Sequence, residues 1–593
     1  MKPCRPLILL VFLALPLHAD EPKTIKLTLS PETTYLMEPQ LPDGRIDYFA
    51  ALNERLAART TPENNLLVGI FSLLLGETEE ALLREQETEE EKKNGERLRN
   101  FRERFCKMIG LDTPPPLDAL VASSPISLSK DYEKELLEFY SREELASMIE
   151  TQREKEKKHR QGRFDNGGMT KEEYDAEIKK IETEISPRYY RAIVDDQWNE
   201  TRRRPWTAEE FPCLAKWMTA TDEWTPKLIA LSRQRTGYYH PLLSYDGNLF
   251  LLYNALLPYA QSLRSATRFL EMRGNWEFAQ GNIDQAMECT FSSIRMGQTM
   301  RKGAGWIVED LIGVALTGVG NYQLTTYLAD LPKDKDAAWI LKKKKEYDTI
   351  ETAIGPLPSP PTWCFHERVS NLSAVQFIAV NPKTAREWFK SCGFSEEVLA
   401  KYEKIFSSAT EYDWDEILKQ VNLFYDDLED IFLIPSWQRR YPAAERFEKR
   451  IAEYSQRSVD SSDGPERRAT DFLLGNLAPA TAPIAIAFTR SEWDRRITSV
   501  AFALAAHRAD NGGESPDSLE QLVPKYLDSV PDSPFTDKPL RYLKRKNDVL
   551  IANDDAYKLD GSEPEVEKLI AEERSGGRVF PAARHFIFIA VKK

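Results

Sequence analysis

The hydrophobic residues of this chain recur mainly at helical spacing. Between Asp47 and Ile350 the apolar positions follow the period of an amphipathic helix. The most apolar part predicts three consecutive helices, Leu251–Phe278, Ile283–Arg301 and Trp306–Leu331. A further long helix is predicted from about Ala480 to Arg508. The pattern therefore predicts a mainly α-helical protein with a multi-helical body.

Short segments with a strand pattern lie near the two ends of the chain. Apolar and polar residues alternate over Lys23–Leu29, which predicts one half-buried strand. Near the C-terminus, strands are predicted at Leu540–Leu543, Val549–Ala552 and Phe586–Val591. Because these follow a helix, they predict a small C-terminal α+β module with a short antiparallel sheet.

Two charged stretches, Arg84–Arg97 and Glu150–Arg163, contain no large apolar side chain and cannot bury a helix face. The second precedes a turn signal at Asn166–Gly168. Thr170 and Glu173 then form a capping-box pattern at the start of another helix. We expect a charged helical hairpin that stands off the body.

Small residues mark places where helices approach closely. Gly313, Gly318 and Gly320 lie inside the third core helix, where each costs about 1 kcal/mol relative to alanine unless close packing compensates. The segment 274–286 resembles one tetratricopeptide hairpin, and its small-residue offsets recur once, in residues 69–81. Two distant matches do not make a repeat array, so structural hairpins are favoured over a peptide-binding groove.

These patterns divide the chain into six parts. They are a leader (1–19), an N-terminal helical region with one short strand (20–125), the charged hairpin (126–205), a helical core (206–355), a second helical region after a proline-rich break (356–475) and the α+β module (476–593).

The first nineteen residues have the pattern of a secretory signal peptide. Lys2 and Arg5 precede an apolar run, Pro6–Leu17, that is too short to cross a bilayer. Ala19 is the last residue of a segment that resembles the A-x-A cleavage site of signal peptides, so cleavage is expected between Ala19 and Asp20. We expect the mature chain to be extracytoplasmic, either periplasmic or secreted, with no integral membrane segment after cleavage.

The charge and cysteine content restrict the partners. A net charge of −14 disfavours nucleic acid as a partner, because such a surface repels phosphates. The five cysteines beyond the leader fit neither a metal knuckle nor a dense disulfide framework. Buried free thiols are favoured, and Cys364 with Cys392 is the alternative bridge.

The C-terminal segment Ala505–Asn553 resembles the soluble part of the type II secretion major pseudopilin. The matching positions are Gly512, Pro516, Leu519, Leu522, Pro534, Phe535, Leu540 and Tyr542. Large, uncharacterised exported bacterial proteins with helical bodies carry the same tail, and Trp217–Leu243 and Leu263–Leu331 also resemble those bodies. The resemblance implies a small folded cap on an exported protein, although Ser533 stands where the family has aspartate.

The sequence contains no recognisable catalytic motif. His366-Glu367 lacks the second histidine of a zinc-protease helix, and no GxSxG or CxxC pattern occurs. We therefore predict no cofactor and no metal. The enzyme alternative is an acid/base hydrolase with a carboxylate pair. Its sugar platform would be formed by four tryptophans that helical spacing otherwise assigns to the core: Trp198, Trp206, Trp217 and Trp224.

The expected function is that of an exported, non-catalytic structural or protein-interaction protein with protein partners in the cell envelope. The alternative is a secreted hydrolase that acts on glycans or peptides through a carboxylate pair in a helical scaffold. Catalytic residues cannot be nominated from a chain with 94 acidic residues.

Overall fold

The structure is a computed structural model that describes residues 27–74, 103–110, 132–183, 187–243, 260–355, 357–406, 411–457, 464–544 and 549–552. Helices form most of this part of the chain, so the prediction of a mainly α-helical protein is confirmed. The strands of the described residues are β1 (Arg541–Lys544) and β2 (Val549–Ala552), which pair antiparallel.

The described helices fall into three groups along the chain. The first group is α1 (Tyr48–Ala57), α2 (Leu66–Leu74), α3 (Tyr132–Leu137), α4 (Arg142–Asp165), α5 (Lys171–Thr183), α6 (Pro187–Arg203), α7 (Pro212–Ala220) and α8 (Trp224–Gln234). The second is α9 (Ala260–Ala279), α10 (Ile283–Gly303), α11 (Ile307–Ala329), α12 (Ala337–Ile354) and α13 (Thr362–Val380). The third is α14 (Pro382–Ser391), α15 (Glu396–Phe406), α16 (Trp414–Leu433), α17 (Trp437–Arg457), α18 (Pro465–Leu477) and α19 (Thr481–Asp510). Residues 103–109 are also helical.

The centre of the molecule is built on α9, α10 and α11, which pack side by side. Glycines make the approach of α10 and α11 possible, as predicted for two of the three positions. A Cβ on Gly313 would lie 2.8 Å from the Gly297 carbonyl oxygen, and one on Gly320 would lie 2.5 Å from Ile294 Cγ1. A Cβ on Gly318 would meet only Asp494, at 3.4 Å, so close packing does not explain that glycine.

Helix α13 is enclosed by the rest of the protein. Residues 363–380 are all buried, and α1, α11, α14, α16 and α18 pack around them. A helix that is buried on every side must place its polar side chains against other protein groups. Buried hydrophobic residues from Ile46 to Ile551 form one cluster around it.

Helix α19 joins the body to the C-terminal segment. It packs against α11, α12 and α17, and ends before Gly512 and Gly513, which have φ of 62° and 92°. The chain continues through a 3₁₀ turn, Leu519–Leu522, to the β1–β2 hairpin. The Tyr542 hydroxyl donates to the Pro516 carbonyl oxygen at 2.7 Å and holds this loop against β1. The predicted strand Phe586–Val591 lies outside the described residues.

Helices α4 and α5 form the charged hairpin expected from the sequence. Thr170 and Glu173 make both hydrogen bonds of the predicted capping box, at 3.2 and 2.8 Å. Leu145 is the buried residue of α4, and ion pairs such as Arg160–Glu177 at 2.8 Å join the two helices. The other charged stretch, Arg84–Arg97, lies outside the described residues.

The prediction of a strand at Lys23–Leu29 is wrong for residues 27–29, which the structure describes as irregular. No neighbouring strand pairs with this segment among the described residues. Leu27 and Leu29 pack on the core, while the Thr28 N–H donates to Asp415 Oδ1 at 2.9 Å. The alternating pattern therefore reflects a segment that lies along a helix.

One stretch of the described residues, Pro465–Asp510, is long and apolar enough to cross a membrane by length and composition alone. Core helices of other proteins meet the same criterion, and 44% of its apolar window is buried within the protein. The absence of an integral membrane segment stays a prediction.

Candidate functional site

Two groups of polar side chains in the described residues are candidates for a functional site. The first, named the α13 polar core, consists of Arg301, Glu309, Asp310, His366, Glu367 and Arg368. The second, named the hairpin cleft, lies where the α9–α10 turn meets the start of α8 and the loop before α12.

Glu309 closes the first turn of α11. Its Oε2 accepts hydrogen bonds from the Gly305 and Trp306 N–H groups at 2.8 and 3.0 Å. Its Oε1 accepts from the Tyr238 hydroxyl at 2.8 Å. Burial nevertheless raises the pKa of Glu309 to about 7, because desolvation outweighs these hydrogen bonds.

The next residue, Asp310, ties three helices together. Arg301 of α10 donates from Nε to Asp310 Oδ1 at 3.0 Å and from Nη1 to Ser491 Oγ of α19 at 3.1 Å. Burial raises the pKa of Asp310, while the Arg301 charge opposes the rise. The interaction is a buried ion pair that joins α10, α11 and α19.

His366 and Glu367 lie side by side in α13, and neither forms an ion pair with any described residue. His366 is fully buried, and neither ring nitrogen makes a well-formed hydrogen bond, although the Gly305 backbone lies beside the ring. Burial lowers the pKa of His366 to about 3 and raises that of Glu367 to about 8. Both side chains are therefore mainly neutral at pH 7.

Arg368, in contrast, is surrounded by acidic and aromatic partners. Its guanidinium lies 2.7 Å from Asp426 and 3.1 Å from Glu429, both on α16. The ring of Tyr35 covers it, with the guanidinium carbon 4.4 Å from the ring centroid. Arg368 thus fastens the N-terminal segment and α16 to α13.

Two carboxyl groups that titrate near neutrality would suit general acid/base catalysis. Glu309 and Glu367, however, are only 1% and 6% exposed. Neither lines the hairpin cleft. The α13 polar core therefore contains groups that suit acid/base catalysis. These groups lie inside the protein, however, as structural polar groups do.

The hairpin cleft is open and polar, with a volume of about 760 Å³. At its floor, Arg273 Nε donates to Glu277 Oε1 at 2.7 Å, and Arg273 Nη2 lies 2.5 Å from Asp222. Asn282 of the turn donates to the other Glu277 oxygen, also at 2.7 Å. The floor is thus a network of charged and polar side chains that pair with one another.

The turn that shapes this cleft belongs to residues 274–286. Gly281 has a φ of 81°, and a Cβ on Gly274 would lie 2.9 Å from the Tyr327 hydroxyl oxygen and 3.4 Å from the Ala286 carbonyl oxygen. Small residues therefore stand where α9 approaches α10 and α11. In the other match, Gly69 lies in α2, and Gly76 and Ala81 lie outside the described residues.

The residues named from the sequence are not brought together. Ala19 and Asp20 lie outside the described residues. Cys364 is buried and Cys392 half-buried, and both are free thiols. Trp198, Trp206 and Trp217 are buried in the core, so they do not form an exposed sugar platform.

Sequence reasoning missed the carboxyl groups of the α13 polar core. The only signal was three adjacent polar residues, His366 to Arg368, in a helix that is otherwise rich in apolar residues. Glu309 gave a weaker signal, since it looks like an ordinary acidic residue in the first turn of a helix. Its partner Tyr238 is 71 residues away in sequence.

Comparison with known proteins adds no relative. No known protein family matches the chain, and neither any curated protein nor any solved structure matches it.

Proposed function

We propose that this chain is an exported, non-catalytic helical protein that binds other proteins of the cell envelope or secretome. The observation that carries the proposal is the contrast between the two polar sites. The hairpin cleft is open, whereas the carboxyl groups of Glu309 and Glu367 are enclosed in the protein. An open polar surface on a paired floor suits recognition of a partner better than turnover of a substrate.

The finer architecture belongs to the same proposal. The α9–α10 pair serves as a tetratricopeptide-like hairpin, and the segment after α19 as a pseudopilin-like cap. Support for the cap comes from the pairing of β1 with β2 and from the burial of Leu519, Leu522 and Phe535. The signal peptide, the extracytoplasmic location and the absence of a cofactor are further parts of this proposal.

A secreted hydrolase is the second candidate, and one observation favours it. Glu309 and Glu367 have pKa values of about 7 and about 8, which fit a general acid at neutral pH. This candidate requires an opening of the core that admits a glycan or peptide to α13.

One experiment separates the two candidates. Purified residues 20–593 would be used as bait on native envelope extract, and captured proteins would be purified and tested for saturable binding. Glycan and peptide hydrolysis would be screened in parallel with the wild type, Glu309→Gln and Glu367→Gln. We expect a saturable partner and no turnover. Turnover that either substitution abolishes would establish the hydrolase instead.

A further inference from the structure

The outer side of α11 is apolar and carries no charge. Ala315 and Tyr322 are exposed there, and Val319 is half-buried between them. The acidic residues of this helix, Glu309 and Asp310, are both buried in its first turn. A surface helix of a globular protein usually carries charged and polar residues on its outer side. The outer side of α11 is therefore suited to an apolar partner.

This surface continues across α19 and the loop between α16 and α17. A Cβ on Gly318 of α11 would lie 3.4 Å from Asp494 Oδ2 of α19. On the other side of α19, Arg440 joins it to the loop. Its Nη1 donates to the Ile434 carbonyl oxygen at 3.4 Å, and its Nη2 donates to Thr489 Oγ1 at 2.9 Å. The three elements thus border one another, and their outer side is named the α11–α19 face.

Apolar residues protrude from the loop and from the start of α19. Leu433 is 49% exposed, and Pro435 and Pro483 are exposed as well. Residues 472–489 contain no charged residue. Less than half of the apolar window in Pro465–Asp510 is buried within the protein. The face therefore presents apolar groups to its surroundings from three elements.

The accessible charges of the face are basic. Its segments are residues 307–329, 431–443 and 472–491. Their charged residues that are not buried are Arg439, Arg440 and Arg490. Arg439 is exposed and forms no ion pair with a described residue, and Arg440 donates to neutral oxygen atoms. On a chain with 94 acidic and 80 basic residues, this face has the opposite sign to the molecule as a whole.

Carboxyl groups at the border of the face are engaged or partly neutral. Asp537 Oδ2 accepts a hydrogen bond from Ser436 Oγ at 2.7 Å, and Glu448 accepts from the Thr481 N–H at 2.6 Å. Burial raises the pKa of Asp494 to about 7, so this group is partly protonated at neutral pH. Charges more than about 8 Å away are largely screened at physiological ionic strength, so the remote acidic residues do not cancel the arginines.

We propose that the α11–α19 face docks onto an anionic lipid bilayer, with Leu433 and Pro435 in the headgroup region and Arg439 at the lipid phosphates. An apolar surface bordered by basic residues is the pattern of proteins that lie in the membrane interface, and anionic lipids attract such residues. A second copy of this chain fits less well, because two such faces would bring arginines together. This role goes beyond the proposed function, because it attaches the protein to a membrane surface.

Leu433 and Leu423 provide a matched pair of variants on α16. Both are exposed, at 49% and 64%, but Leu423 shares its helix side with the exposed Asp426 and Asp427. Leu433→Asn removes an apolar group from the face, whereas Leu423→Asn removes the same group from an acidic surface. Because both side chains are largely in water, both variants should fold like the wild type, which circular dichroism checks.

Binding of residues 20–593 is measured by co-sedimentation with vesicles of phosphatidylcholine and phosphatidylglycerol in a ratio of about two to one. We expect saturable binding that is at least about fivefold weaker on vesicles of phosphatidylcholine alone. Leu433→Asn should weaken binding about tenfold, and Leu423→Asn less than about twofold. Absence of binding to the mixed vesicles, or equal weakening by the two variants, would overturn the inference.

The electrostatic contribution is tested by Arg439→Gln, with Lys419→Gln as its control. Both residues are exposed, and neither forms an ion pair with a described residue. Lys419 lies one turn before Leu423 on α16, away from the face. Arg439→Gln should weaken binding to the mixed vesicles about fivefold, and Lys419→Gln less than about twofold. Equal effects of these two substitutions would contradict a contact between Arg439 and the lipid.

Other occupants of the face give different results. Self-association without lipid that Leu433→Asn abolishes, together with no vesicle binding, would assign the face to a second copy. A captured envelope protein that binds the wild type but not Leu433→Asn, again without vesicle binding, would assign it to that protein. Either result would overturn the membrane inference.

Membrane docking and the proposed function fail in different ways. If an envelope partner binds saturably but the vesicles do not, membrane docking is wrong and the proposed function stands. If the vesicles bind as expected but the protein hydrolyses a glycan or peptide, the non-catalytic function is wrong and membrane docking stands.

Discussion

Individual carboxyl groups determine how this protein responds to pH. Glu367 is buried in α13 without an ion pair among the described residues, and burial raises its pKa from 4.5 to about 8. The folded protein therefore holds a proton that the unfolded chain releases between these two values. Stability must fall as the pH rises through that interval.

Substitution of Glu367 by glutamine removes this dependence. At pH 5 the free energies of unfolding of the variant and the wild type should differ by less than about 1 kcal/mol, because this pH is only half a unit above the ordinary pKa of 4.5 that the unfolded chain has. At pH 8 the variant should be more stable by about 4 kcal/mol. Urea unfolding at the two pH values measures the difference.

Other buried carboxyl groups also make the folded protein less stable as the pH rises, so Glu367→Gln has to be compared with the wild type and with a control variant. Burial also raises the pKa of Glu309 and Asp494 to about 7, so the wild-type pH profile does not isolate Glu367. Glu397 is 78% exposed, and Glu397→Gln is the matched control for a carboxylate at the surface. The same stability difference at pH 5 and pH 8 would contradict the assignment to Glu367.

The environments of individual buried polar side chains could not be predicted from the sequence. His366, Glu367 and Arg368 are adjacent in sequence, but their pKa values and partners depend on residues contributed by distant elements. Arg368 meets Tyr35 and α16, whereas His366 meets Gly305. Periodicity describes one helix face and contains no information on which distant segment covers it.

At the scale of elements, the α10–α11 contact depends on glycine at specific positions. In Gly313→Ala, the new Cβ would meet the Gly297 carbonyl oxygen at 2.8 Å and the Arg301 backbone nitrogen at 3.2 Å. Backbone atoms cannot move away without separating the helices. We expect a loss of about 1 to 3 kcal/mol in the free energy of unfolding, measured in urea.

Gly318→Ala is the matched control in the same helix. The nearest atom to its Cβ would be Asp494 Oδ2 at 3.4 Å, which is ordinary contact. The substitution should be neutral or stabilise by up to about 1 kcal/mol, because alanine favours helix. Destabilisation of the same size in both variants would show that close packing at Gly313 is not the cause.

Helices and strands were predicted well where residues close together in the sequence determine them. The sequence placed Ile283–Arg301 and Val549–Ala552 within two residues of α10 and β2, and Thr170 with Glu173 in their capping box. It failed for residues 27–29, because strand formation needs a partner that alternation alone does not provide. The hairpin cleft was missed because it is formed by three separate loops and helix ends.

At the scale of the whole molecule, the five cysteines of residues 20–593 report whether a disulfide bond forms. Burial raises the pKa of Cys213 to about 11 and that of Cys392 to about 12, so both are protonated at neutral pH. Ellman's reagent should react slowly with the folded protein and with five thiols after unfolding. Three reactive thiols would instead support the Cys364–Cys392 bridge.

The predicted leader is tested independently of the fold. Residues 1–22 fused to a reporter should direct export, and the trimmed product should begin at Asp20. Leu9→Arg should abolish export, because a charge interrupts the apolar run. Cell fractionation and N-terminal sequencing measure both results. Cytoplasmic retention of the unchanged fusion would remove the basis for an extracytoplasmic protein.

The charged hairpin has a practical consequence for following this protein in cells. Helix α4 extends about 36 Å over its 24 residues, and the side chains that it packs on the core, Leu145, Met148 and Ile149, lie in its first third. The turn after it, with Gly167 at a φ of 69°, lies at the far end from that anchor. A fluorescent domain or affinity tag inserted after Gly167 would therefore leave both the core and the hairpin cleft undisturbed.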